Sequence, residues 1–294
     1  MYYCAFPVGG PCLVPEIFFS NESLFLGFDP VSFIALTAIV FIGLPHGAFD
    51  GAVGLALGYG KRFKSMLAFI FIYIFIAAAV VIFWINFPNA ALLIFLAISI
   101  WHFGIGDSQQ GEKTQRIIQA LAHGGLVVIG ISVMHSAEVD KIFSQLINGS
   151  TSLLWHFINV SAIGLMLVLA VYFFLAWKKT ELRRGLAELV SLGVIYYILP
   201  PLAGFAFYFC AVHSVRHLRY TWSRLRTLSY SPRLLIPLAL FFTVVSWIAA
   251  MMAFLLMPSA DFITGSILQI VFIGLAALTV PHMLLVDGLF RRAL

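Results

Sequence analysis

From residue 31 onward the chain is a succession of apolar stretches, joined by links too short to fold by themselves. Each stretch is close to the ~20 residues that an α-helix needs to cross a bilayer. In hydrocarbon every backbone polar group has to be satisfied internally, which helices of this length do. The expected fold is therefore all-α, a polytopic transmembrane bundle of about nine helices. Its spans are expected at 31–58, 65–86, 89–107, 116–135, 153–177, 185–200, 202–222, 234–257 and 265–289. Pro200-Pro201 marks either a tight turn between the sixth and seventh spans or a break within one re-entrant element. Composition agrees: 62% of the residues are hydrophobic and 10% charged, against about 25% charged in soluble domains.

Charge supplies an independent test, because lysine and arginine collect in the cytoplasmic links. Lys61, Arg62 and Lys64 follow the first span; Lys113 and Arg116 lie between the third and fourth; Lys178, Lys179, Arg183 and Arg184 between the fifth and sixth. Arg216, Arg219, Arg224, Arg226 and Arg233 surround the end of the seventh, and Arg291 and Arg292 close the chain. Lys141 alone falls on the opposite side, so nine spans put the amino terminus outside and the carboxyl terminus in the cytoplasm. The net charge of +5 is thus topology, and nucleic-acid binding is not expected. Residues 1–27 lack the charged start and compact apolar core of a cleavable signal peptide and read as a lead-in to one transmembrane domain over 28–294. Cys4, Cys12 and Cys210 form no CxxC pair, which gives no support to a thiolate zinc site or an iron–sulfur cluster.

Ionisable side chains inside a membrane are costly and mark functional sites. Of eight histidines, His135 and His156 fall in or beside the external link between spans four and five, whereas His46, His102, His123, His213, His217 and His282 lie inside helices. The six lie at related depths, so a bundle can gather them. In FYFCAVHSVRH, His213 and His217 are four residues apart, on one helical face, where two imidazoles can bind one metal. In GLPHGAFD, Pro45 and Gly47 flank His46 with helix breakers in mid-membrane, the mark of irregular backbone lining a cavity. Asp50, one turn on, can orient an imidazole or cap the kink. His102, in SIWHFGIGD, needs a partner from another helix, as do His123 in LAHGG and His282 in TVPHMLLVD; the last two are assigned to supporting or packing roles. Asp107 and Asp287 are candidate hydrogen-bond partners.

Imidazoles without thiolates suit iron, copper or zinc. The chain has no GxSxG elbow, no Walker or GxGxxG loop and no HExxH, which removes the usual signatures of serine hydrolases, nucleotide enzymes and zinc proteases. One HxxxH fits a mononuclear site better than a diiron one.

In their order along the chain, GLPHGAFD, SIWHFGIGD, AHGG, YFCAVHSVRH and FIGLAALTVPHMLLVD resemble the motifs of the Brp/Blh family of bacterial and archaeal β-carotene 15,15′-dioxygenases. The likeness runs from about residue 30 to the end. It implies oxidative cleavage of the central double bond of β-carotene by dioxygen at a non-haem Fe(2+), giving two all-trans-retinal, in the inner cell membrane. It also implies His46, His102, His213 and His217 as the iron ligands. Asp50, Tyr208, His123, His282 and Trp101 are expected around them, with Phe103, Phe207 and Phe209 also adjoining the ligand positions and Tyr208 able to reach bound oxygen. Membrane lipid would deliver the substrate, and a microbial rhodopsin is a possible recipient of the retinal. The alternative is a carotenoid- or retinal-binding factor that assists rhodopsin assembly without chemistry; a haem cytochrome fits the helix-breaking surroundings of His46 poorly. A retinal photoreceptor is set aside because all six lysines lie in links.

Overall fold

A computed structural model describes residues 28–108, 111–256 and 263–290. The lead-in 1–27, with Cys4 and Cys12, and the terminal Arg291 and Arg292 lie outside these residues. Among the described residues every extended regular element is a helix. Helix α1, Pro30–Ala38, starts on Asp29, whose carboxylate accepts the amides of Val31 and Ser32 at 3.0 Å, an N-cap reinforced by proline at the first helical position. It widens into a π turn, Ile39–Gly43, then tightens into a 3-10 turn, Leu44–Gly47, before α2, Asp50–Ala56. The first expected span is thus a broken helix, with Pro45 and Gly47 in the break.

The remaining helices follow the apolar stretches closely. They are α3, Phe63–Asn86; α4, Pro88–Asp107; α5, Lys113–Met134; α6, Ser136–Ile147; α7, Ser152–Lys178; and α8, Arg183–Ile198. Then come α9, Pro201–Ala206; a π turn, Phe207–His213; α10, Ser214–Thr227; α11, Pro232–Leu256; α12, Ile263–Met283; and a last π turn, Leu284–Phe290. Pro200 is extended, with ψ of 152°, so the proline pair is a turn between two helices. Helix α6 was not anticipated from hydropathy because it is amphipathic, burying Val139, Phe143, Leu146 and Ile147.

Among the described residues six helices are long and apolar enough to cross a membrane: Phe63–Asn86, Pro88–Asp107, Lys113–Met134, Ser152–Lys178, Pro232–Leu255 and Gly265–Phe290. The other three expected spans are helical but interrupted or short. Pro30–Gly43 is a shorter apolar helix, α8 has 16 residues, and the α9–α10 segment changes pitch at its centre. Burial is inverted relative to a soluble protein. Phe71, Ile74 and Phe75 of α3 and Leu167 and Trp177 of α7 are exposed, while Asp50 and five histidines are buried, the distribution expected when the outer surface faces lipid.

Helices α4 and α5 meet backbone to backbone. A Cβ on Gly104 would collide with the carbonyl of Ala120, and one on Gly124 with the carbonyl of Ile100. Only glycine permits this approach, the small-residue packing typical of membrane helices. It fixes α4, with His102, against α5, with His123.

Candidate metal centre

Four of the expected histidines come together, from three parts of the chain. His102 is on α4, His213 ends the π turn Phe207–His213, His217 is on α10 and His282 is near the end of α12. All are buried. Each ring neighbours the next, with centroids 4.9 Å apart for His102–His213, 6.3 Å for His213–His217, 4.7 Å for His217–His282 and 5.4 Å for His102–His282. His46 sits on the 3-10 turn Leu44–Gly47; its side chain lies outside what is described. Its neighbour Gly47 reaches the cluster, since a Cβ there would stand 3.4 Å from Asp50 Oδ2 and 3.7 Å from His282 Nδ1.

Local backbone sets these positions. Each of the four π turns among the described residues adjoins a histidine of the spans. Ile39–Gly43 precedes His46, Leu126–Gly130 follows His123, Phe207–His213 contains His213, and Leu284–Phe290 follows His282. A π turn inserts an extra residue and rotates the next face of the helix, and such turns concentrate at functional sites. Pro281, inside α12, removes a backbone donor just before His282, as Pro45 does before His46.

Two imidazoles are braced by carboxylates from distant helices. His102 Nδ1 lies 2.9 Å from Asp287 Oδ2, and His282 Nδ1 lies 2.8 and 2.9 Å from the two oxygens of Asp50. Asp50 also accepts the Tyr73 hydroxyl at 2.7 Å. An ionised carboxylate only accepts hydrogen bonds, so each Nδ1 carries the proton and each Nε2 the lone pair. That is how metal-bound histidines are commonly oriented. Asp50 therefore does orient an imidazole, that of His282, which is 232 positions away. His217 Nε2 is 3.3 Å from the Thr221 hydroxyl.

The donor set fits a first-row metal. With metal–nitrogen bonds of about 2.1 Å, ligand ring centroids fall roughly 4.5 Å apart at right angles and roughly 6.4 Å apart when opposed. The observed separations of 4.7 to 6.3 Å occupy that interval.

His123 belongs to a different group. Asp107, His123 and Glu188 place donor atoms within 4.8 Å of one another, a spacing that also admits a cation. Arg216 already bridges the two carboxylates, with Nη1 2.8 Å from Asp107 and Nη2 2.6 Å from Glu188, so the compensating charge is supplied by a guanidinium. The Tyr208 hydroxyl donates to Asp107 at 2.7 Å, which directs it to this network and away from the imidazole cluster. The network clamps α4, α8 and α10 together beside the histidines.

Of the aromatic residues next to the ligand positions, Phe103, Tyr208 and Phe209 turn inward, and Phe103 lies 4.9 Å from His213. Trp101 is 41% exposed and Phe207 39%, because one step along a helix rotates a side chain well away from its neighbour's direction. Trp101 thus faces outward, not into the pocket expected for it. Phe205 extends the inner wall, stacked on Phe209 at 5.5 Å and on Phe272 at 6.1 Å. Sequence reading missed Phe205, two residues before FYFCAVHSVRH, and Phe272, the first residue of FIGLAALTVPHMLLVD, because neither adjoins a histidine.

A bundle of apolar helices long enough to cross a membrane, around a buried, carboxylate-braced histidine cluster, is the architecture of a membrane protein. The chain belongs to the β-carotene 15,15′-dioxygenase family, whose model matches residues 37–290, and it is an enzyme. It is 35% identical over 278 residues to the β-carotene 15,15′-dioxygenase of an uncultured marine bacterium, 66A03, covering 90% of this chain and 96% of that protein. It is 26% identical over 208 residues to a Halobacterium salinarum protein named "Probable beta-carotene 15,15′-dioxygenase Blh", covering 63% of this chain and 59% of the other. No solved structure gives a significant match.

Proposed function

We propose that the protein cleaves the central 15,15′ double bond of β-carotene with dioxygen, giving two all-trans-retinal, at an Fe(2+) held by His46, His102, His213 and His217. The observation that carries this reading is the meeting of buried, carboxylate-braced imidazoles inside a chain of this family. When bound, ferrous iron with neutral nitrogen ligands supplies the dioxygen chemistry. The chain's own residues do the rest. Asp287 and Thr221 hold the rings of His102 and His217. Phe103, Phe205, Phe209 and Phe272 offer a rigid apolar wall beside His213 against which a flat polyene can lie, and which keeps water out. The Asp107–Arg216–Glu188 clamp fixes α4 against α10 and so the separation of His102 from His213 and His217.

β-Carotene is dissolved in lipid, so the reading includes lateral entry between helices. It includes a multi-pass placement in the inner cell membrane, with nine spans, the amino terminus outside and the carboxyl terminus cytoplasmic. The retinal leaves into the same lipid, where a microbial rhodopsin can take it up.

The test is to purify the chain in detergent, quantify its metal and incubate it with β-carotene in air while following products by chromatography. About one iron per chain with retinal as the sole product supports the reading; metal-free protein that binds carotenoid unchanged favours an assembly factor instead. Asp287→Asn provides a finer check. It keeps the shape but removes the charge behind His102, and iron affinity is expected to fall by roughly 10–100-fold, as for other outer partners of metal-bound histidine, read by iron titration of the detergent-purified protein.

A further inference from the structure

Resting on that reading, we infer that His282 is itself a ligand of the iron, through Nε2, with Asp50 and Tyr73 as the groups that aim it. Position carries the first part of the argument. The His282 ring is 1% exposed and lies closer to His217, at 4.7 Å, than His213 does, at 6.3 Å. It stands nearly perpendicular to both His217 and His102, at 73° and 87°, as rings do when they converge on one centre from different directions.

Chemistry carries the second part. The Asp50–His282 pair repeats the Asp287–His102 pair in atoms and in distance: Nδ1 on a carboxylate at 2.8 to 2.9 Å in both. A carboxylate behind Nδ1 fixes the tautomer that carries its lone pair on Nε2 and raises that nitrogen's basicity. Asp50 is itself held by Tyr73 and buried at 2% exposure, so a charged group has been placed inside a membrane bundle to hold one imidazole. A packing histidine would gain nothing from that expense, since a backbone carbonyl would satisfy it.

Backbone carries the third part. Pro281 and the π turn Leu284–Phe290 bracket the residue, and Asp287 on that turn reaches His102. One irregular segment thus supplies both His282 and the brace of a second ring. A Cβ built on Gly47, next to His46, would stand in van der Waals contact with the Asp50–His282 pair, which joins the broken first span to the same place.

The experiment uses full-length protein in detergent, stripped of metal and titrated with Co(2+), whose visible spectrum reports coordination number and ligand type. Wild type is compared with His282→Ala, His282→Gly and Asp50→Asn, each checked for unchanged thermal unfolding before metal is added. The expected result for His282→Ala is a changed cobalt spectrum with one coordinated imidazole fewer by X-ray absorption. His282→Gly is expected to regain the wild-type spectrum when imidazole is added. Asp50→Asn is expected to bind more weakly but keep the wild-type imidazole count. A His282→Ala protein with the wild-type spectrum and imidazole count would overturn the inference while leaving the iron reading intact. Should His282→Ala not fold, imidazole rescue of His282→Gly decides: failure of the added imidazole to coordinate overturns the inference. Wild type that binds no metal would instead overturn the reading on which the inference rests.

Discussion

His217→Ala is expected to abolish retinal formation while the protein still extracts and folds as the wild type does. The ring is buried and stands 4.7 Å from His282 and 6.3 Å from His213, so its loss removes a donor from the centre of the cluster. Truncation leaves a small cavity lined by other imidazoles, in a helix anchored by Leu225 and the Arg216 ion pairs. The fold therefore survives where the site does not. The fall in activity is expected to exceed well beyond the roughly 10–100-fold that removal of an outer hydrogen-bond partner costs. Product chromatography and iron content, measured together, check it. Normal activity in the variant would remove His217 from the site, and normal iron content with lost activity would recast it as a residue that touches substrate.

The second large effect is structural. Gly104→Val is expected to destabilise the bundle by about 3 kcal/mol or more, at or above the usual cost of overpacking a core. The new Cβ would have to occupy the space of the Ala120 carbonyl. Backbone cannot step aside as a flexible side chain can, so α4 and α5 have to separate. The displacement begins two residues from His102 and three from His123 along the facing helix, so metal binding is expected to weaken with stability. Gly164→Ala is the contrasting variant: nothing lies within 4 Å of its Cβ position, and the helix gains up to about 1 kcal/mol from the better helix former. Thermal unfolding in detergent, followed by far-ultraviolet circular dichroism, reads both. A Gly104→Val protein that melts with the wild type would show that α4 and α5 do not meet backbone to backbone.

Much of the protein is legible before any folding is considered, because the relevant physics is local. Hydropathy over a window the width of a bilayer marks the helices, and the long ones, such as Phe63–Asn86 and Ser152–Lys178, fall within two residues of the expected limits. A proline and a glycine on either side of His46 announce the break there for the same reason, since each acts on its own turn. The cost of an imidazole in hydrocarbon singles out the six histidines deep in the spans, whereas His135 and His156 fall at span ends, His156 near the start of Ser152–Lys178. The π turns leave no such mark, because the sequences that form them are as apolar and as helical as their surroundings.

What the tertiary structure alone decides is who meets whom. His123 and His282 look alike as single residues in apolar runs. In the bundle one joins the Asp107–Arg216–Glu188 network and the other the histidine cluster. Asp50 lies one turn from His46 in sequence yet grips His282, and Asp287 grips His102 from 185 positions away. Trp101 and Phe103 flank the same histidine and face opposite ways. The sequence determined that this chain lives in a membrane as helices and carries buried histidines. The packing of those helices decided which histidines share a centre, because a buried imidazole takes its partners from whatever backbone lies across from it, and that is set by where glycine lets two helices touch.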